Sequence, residues 1–198
     1  MKKTIIAAIV GGIIIFIWQF LSWSLINLHR PAQQHTPKQE AIMNFLNNQQ
    51  LEEGGYFMPG VPDNASMDEM EQLMKESKVK PWATIQYHKA MSTNMVMNMT
   101  RGLLVNIIAV FLLCWILVRM AAPSFARILT ASLFTGFIVF LNAPYTNFIW
   151  YEGFDIWAHL ADAVISWGVC GLWLAWWLRR NNSYATSRKM NDENFGRR

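Results

Sequence analysis

The sequence predicts a membrane α-helical protein, with four transmembrane helices and a small α+β extracytoplasmic domain between the first and the second. Of its 198 residues, 53% are apolar and only 15% are charged, against about 25% charged residues in a typical soluble protein. The apolar residues fall in four long runs, and a polar segment separates the first run from the second. Long uncharged runs are typical of helices that have a bilayer as their solvent.

The first run covers residues 4–28 without a charged side chain and follows Lys2 and Lys3. It is too long for a secretory signal peptide and lacks a cleavage site, so we interpret it as an uncleaved signal anchor. Small residues recur on one face of this helix with spacings that favour close packing of another helix. They are Ala7, Ala8, Gly11 and Gly12.

The other three runs lie between Arg101 and Arg119, between Arg127 and Glu152, and over residues 156–178. Each approaches or exceeds the roughly 17 to 25 residues that cross a bilayer. The predicted segments are an anchor (1–28), an extracytoplasmic domain (29–100), a second helix (101–120), a cytoplasmic loop (121–127), a third helix (128–151), an outer loop (152–156), a fourth helix (157–178) and a basic cytoplasmic tail (179–198).

The distribution of basic residues predicts the orientation, because positively charged loops stay in the cytoplasm. With the N-terminus inside, the cytoplasmic segments contain Lys2, Lys3, Arg119, Arg127, Arg179, Arg180, Arg188, Lys189, Arg197 and Arg198. Acidic residues outnumber basic ones in 29–100, which places that segment outside. Both termini are therefore expected in the cytoplasm, with the basic tail near anionic lipid rather than bound to nucleic acid.

The polar segment reads as helix, short strand, helix, short strand. The strands are expected at 56–58 and 83–87, paired across a helical crossover. Ser66 and Glu69 form a capping box that opens the second helix. Ile42, Phe45 and Leu46 are expected to form the buried stripe of the first helix. So small a domain has a marginal core, and we expect it to rest on the membrane surface or on a partner protein.

The stretches 54–59 and 81–88, together with the Asp and His residues of the last span, resemble an uncharacterised family of small bacterial inner-membrane proteins. The resemblance implies a bacterial inner membrane and no particular activity.

Asp155, His159 and Asp162 are spaced i, i+4 and i+7, which places them on one helical face at the outer end of the fourth span. Two carboxylates and an imidazole can bind a divalent metal or pass protons. The alternative is interfacial: only Asp162 is buried, bonded to Asn142, Tyr145 or a backbone group of the third span.

A second set of residues, His88, Met91, Met95 and Met99, has the spacing of one helical stripe. Thioethers favour Cu(I), so copper is one hypothesis. The alternative is that these methionines only pack the entry helix against the domain and lipid.

Among function classes, the leading hypothesis is a non-catalytic membrane subunit or assembly factor with a protein partner in the membrane. The alternative is a small transporter or metal-handling protein that uses one of the two sets above. A membrane enzyme ranks third, because only one intramembrane histidine and one clearly buried carboxylate are expected to be available for acid and base roles. The common hydrolase and nucleotide-binding motifs are also missing from the sequence.

Overall fold

The computed structural model describes residues 2–91, 94–120 and 122–195, with side chains described as far as residue 180. The chain forms two compact units: Met1–Gln34 with Asn94–Arg198 (unit 1), and His35–Thr93 (unit 2). In chain order the elements are α1 (Lys2–Phe20), α2 (Gln39–Asn48), β1 (Gly54–Met58), α3 (Met67–Ser77), β2 (Ala83–Tyr87), α4 (Met95–Leu117), α5 (Phe125–Phe140), α6 (Thr146–Trp150) and α7 (Ile156–Phe195). The final residues of the predicted tail, 196–198, lie outside the described part.

Four helices of unit 1 are long and apolar enough to cross a membrane. They are Lys2–Leu25, Met95–Leu117, Phe125–Trp150 and Ile156–Arg180. Two of them contain a π-helical turn, at Leu21–Leu25 after α1 and at Leu141–Tyr145 between α5 and α6. The predicted number of long apolar helices is therefore confirmed, and the second of them begins earlier than the predicted residue 101.

In unit 1, α1 packs against α4 and α7, and α7 also packs against α5. The shared core contains Ile15, Val110 and Leu174 together with the free thiols Cys114 and Cys170. Isoleucines on the opposite face of α1 are exposed, which suits a helix that faces lipid.

The small residues of α1 allow these helices to approach closely. A Cβ on Gly12 would lie 2.7 Å from the Ile107 Cα of α4, and a Cβ on Gly11 would lie 3.0 Å from the Cys170 Sγ of α7. Ala7 and Ala8 are buried beside them. The small face of α1 therefore packs against α4 and α7 of the same chain.

Unit 2 has the predicted element order and a thin core. β1 and β2 pair antiparallel, from Gly54 opposite Tyr87 to Met58 opposite Ala83. Ser66 and Glu69 form the predicted capping box at the start of α3. Among the described residues 35–91, only Tyr87 is buried. The expected buried stripe on α2 is wrong, because Phe45 is 63% exposed and Ile42 is 47% exposed.

Candidate functional site

A buried histidine joins the first long helix to the last at one end of unit 1. His29 is only 1% exposed. Its Nδ1 lies 2.8 Å from Asp155 Oδ2, and its Nε2 lies 3.0 Å from Asp162 Oδ2. Each ring nitrogen thus faces a carboxylate: Asp155 immediately precedes α7, and Asp162 lies in its second turn.

Two tryptophans of α1 and its π-helical turn complete this contact. The Trp18 indole donates a hydrogen bond of 2.9 Å to Asp162 Oδ1, so both oxygens of that carboxylate have partners. The Trp23 ring stacks on His29, with 3.8 Å between the ring centroids and 7° between the planes. The position and the ring plane of His29 are therefore both defined by neighbouring side chains.

His159 is the fourth ionisable residue of the cluster and its most open one, at 31% side-chain exposure. Its Nε2 lies 3.4 Å from the same Asp155 Oδ2 that contacts His29. The two imidazoles meet edge to face, 4.7 Å apart. One ligand atom each from His29, Asp155 and His159 fall within 4.8 Å of one another.

Local backbone geometry brings these residues together. The spacing of Asp155, His159 and Asp162 places them on one side of α7. On the other side of the cluster, the chain leaves the π-helical turn and reverses at Asn27, whose φ is 57°. Asn tolerates this left-handed conformation better than most residues do. The Leu28 amide then donates a hydrogen bond to the Ser22 carbonyl, and this reversal positions His29 beside α7.

The structure brings together one of the two predicted sets. Asp155, His159 and Asp162 share the cluster. Asp162 does not bond to Asn142 or Tyr145, since its described side-chain partners are Trp18 and His29 of the first helical segment. His29, Trp18 and Trp23 were not predicted to belong to it.

The second predicted set does not form one helical stripe. His88 and Met91 lie in irregular chain before Asn94, which caps α4, whereas Met95 and Met99 are on the helix. His88 and Met91 also belong to unit 2, and the other two to unit 1. Cu(I) binding by these side chains stays a prediction, which replacement of the three methionines by Leu would test.

The cluster has the composition of a metal site. Imidazole is a common ligand of zinc, copper, nickel and iron, and one carboxylate completes a frequent set of three protein ligands. Buried ionisable groups cost free energy unless they are paired or coordinate a metal. In the structure Trp18 and His29 contact Asp155 and Asp162, and these four side chains form a polar clasp between the first helical segment and α7.

No family model matches the chain, and searches of curated proteins and of solved structures return no match.

Proposed function

We propose that this chain is a multi-pass membrane protein that binds a divalent transition metal of the zinc class. Its ligands are His29, Asp155 and His159. The observation that carries the proposal is the convergence of their ligand atoms within 4.8 Å. His29 is 126 positions away from Asp155, so no local repeat or charge run brings it to the other two ligands.

The donor set defines the metal class. Two imidazoles favour borderline metals such as zinc over magnesium and calcium, which prefer oxygen ligands. Three protein ligands leave a fourth tetrahedral position open for water or another donor. His159 is the most exposed of the three ligands, which gives the open position a route to solvent.

The membrane and the orientation are part of the same proposal. We place the chain in a bacterial inner membrane with both termini in the cytoplasm, supported by the basic residues at the inner ends of the spans. The metal site then lies at the extracytoplasmic end of the bundle. A periplasm-only reporter fused within 29–100 should be active, as should a cytoplasm-only reporter after residue 187. The opposite pattern would refute the orientation.

Zinc binding to the purified full chain tests the metal site. In mild detergent and metal-free buffer, the wild type should bind one zinc ion per chain, and His29→Ala or His159→Ala should abolish tight binding. His35→Ala and His88→Ala are matched controls, because both side chains are exposed and lie outside the cluster. A wild type that does not bind zinc, or equal binding by all four variants, would contradict the proposal and favour the clasp.

A second candidate function is the non-catalytic membrane subunit or assembly factor. The observation that favours it is the exposure of apolar side chains on unit 2, where Met67 is 78% exposed and Met74 is 67% exposed. Replacing both by Gln should leave the chain folded and reduce copurification of a partner. Purification of the wild type as a lone chain under mild conditions would argue against this role.

A further inference from the structure

We infer that Asp162 and Trp18 are positioning residues of the metal site, which hold His29 so that Nδ1, and not Nε2, binds the metal. This inference rests on the metal-binding function proposed above. It divides the two carboxylates of the cluster between different roles. Asp155 is a ligand, whereas Asp162 lies behind the ligand His29, within hydrogen-bond distance of both His29 and Trp18.

The two hydrogen bonds of Asp162 carry the argument. An indole N–H can only donate, so Trp18 fixes Asp162 Oδ1 as an acceptor. The other oxygen, Oδ2, lies 3.0 Å from His29 Nε2, so it would accept the N–H of the tautomer that carries its proton on Nε2. A neutral imidazole with its proton on Nε2 presents a lone pair on Nδ1. Carboxylates that accept the second N–H of a metal-bound histidine commonly set the ligand tautomer in this way.

The remaining ligands lie on the Nδ1 side of the ring. Asp155 Oδ2 is 2.8 Å from Nδ1, and His159 Nε2 is 3.4 Å from that same oxygen. A metal bound to an imidazole nitrogen lies close to the plane of the ring. Stacking of Trp23 on His29 fixes that plane, so hydrogen bonding and stacking restrict His29 to one way of binding.

The opposite assignment would make Asp162 a ligand, with the metal on His29 Nε2 and Asp155 in the outer position. The two assignments differ in an observable of the unmodified protein. Nitrogen-15 NMR of the full chain labelled in histidine reports which ring nitrogen is coordinated. We expect the Nδ1 resonance of His29 to shift on zinc binding while Nε2 keeps its proton. The His29 signals are assigned by their absence from the His29→Ala spectrum.

Two substitutions test the positioning role through affinity. Asp162→Asn should weaken zinc binding about 10- to 100-fold, the usual effect of losing an outer carboxylate, and should keep one zinc per chain. Trp18→Phe removes one hydrogen bond to Asp162 and should weaken binding about fivefold. Trp157→Phe is the matched control, because Trp157 is 79% exposed on the same end of α7.

The outcomes separate this inference from the function on which it rests. A wild type that does not bind zinc refutes the proposed function. A wild type that binds zinc through Nε2 of His29 refutes the assignment of roles and leaves the metal site standing. Unchanged affinity in both Asp162→Asn and Trp18→Phe also refutes it, as does loss of all zinc from a folded Asp162→Asn chain. If Asp162→Asn does not fold, the wild-type NMR spectrum and Trp18→Phe still decide.

Discussion

Gly12→Ala should push α1 and α4 apart locally. The added Cβ would lie 2.6 Å from Ile107 Cγ1 and 2.7 Å from both the Cα and the backbone nitrogen of Ile107. Carbon atoms in favourable contact are about 3.5 to 4.0 Å apart, so the helices must move apart locally by about 0.8 Å or more. A side chain could rotate away, but the backbone of Ile107 cannot move without the rest of its helix.

The magnitude follows from two opposing effects. Overpacking costs about 1 to 3 kcal/mol, and contact with backbone places this substitution near the upper end. Ala exceeds Gly in helix propensity by about 1 kcal/mol, which offsets part of the cost. We therefore expect Gly12→Ala to lower the free energy of unfolding by about 2 kcal/mol.

Reversible unfolding of the full chain in mixed micelles, followed by circular dichroism, measures this change. Gly102→Ala is the control: its Cβ would meet Phe16 Cε2 at 3.6 Å, an ordinary contact, so its stability should be unchanged or slightly higher. Equal stability of the two variants would refute the packing argument. If the Gly12→Ala variant kept its stability and lost a copurifying protein, the face of α1 that contains Gly12 would contact a partner protein.

Three further predictions concern binding, polar contacts and pH. Zinc at 100 times its Kd should raise the free energy of unfolding by about 2.7 kcal/mol by mass action, and a chelator should reverse the rise in a thermal scan. Asn106 donates a hydrogen bond of 2.7 Å to Gln19. Asn106→Leu should lower the free energy of unfolding by about 0.6 to 1.7 kcal/mol in the same micelle assay, and adding Gln19→Leu should restore part of that stability. Hydrogen bonds from the Ser66 amide and hydroxyl lower the pKa of Glu69. The stability that this interaction contributes is present above the unfolded-state pKa of Glu69 and is lost as the pH falls through its lowered folded-state pKa. The amides of α3 should therefore lose hydrogen-exchange protection on acidification, after correction for intrinsic exchange rates. Glu69→Gln should remove this pH dependence.

Features set by neighbouring residues were predictable from the sequence. The face shared by Asp155, His159 and Asp162 follows from the helical repeat, and β2 occupies the predicted residues 83–87. The capping box needs only Ser66 and Glu69, three positions apart. The length of each apolar run likewise predicted the four long helices, because length and composition suffice for that prediction.

The partner of the α7 face was not predictable in the same way. His29 meets Asp155 across 126 positions and Asp162 across 133. The contact depends on a π-helical turn and on one left-handed residue, and neither leaves a repeating pattern. One signal was present: a Trp inside an apolar run usually finds an acceptor for its N–H when buried. Trp18 indicated a buried acceptor nearby, although it could not identify Asp162.

The long separation between His29 and its carboxylates orders events during synthesis. Protein synthesis adds about 5 to 20 residues per second, so roughly 6 to 25 s pass between the addition of His29 and the addition of Asp155. During that interval α1 has no α7 to pack against, and Trp18 and His29 lack the acceptors that they have in the finished fold. Since the polar cluster closes only when α7 has been made, a chain that stalls before α7 leaves the nitrogens of Trp18 and His29 without these carboxylates.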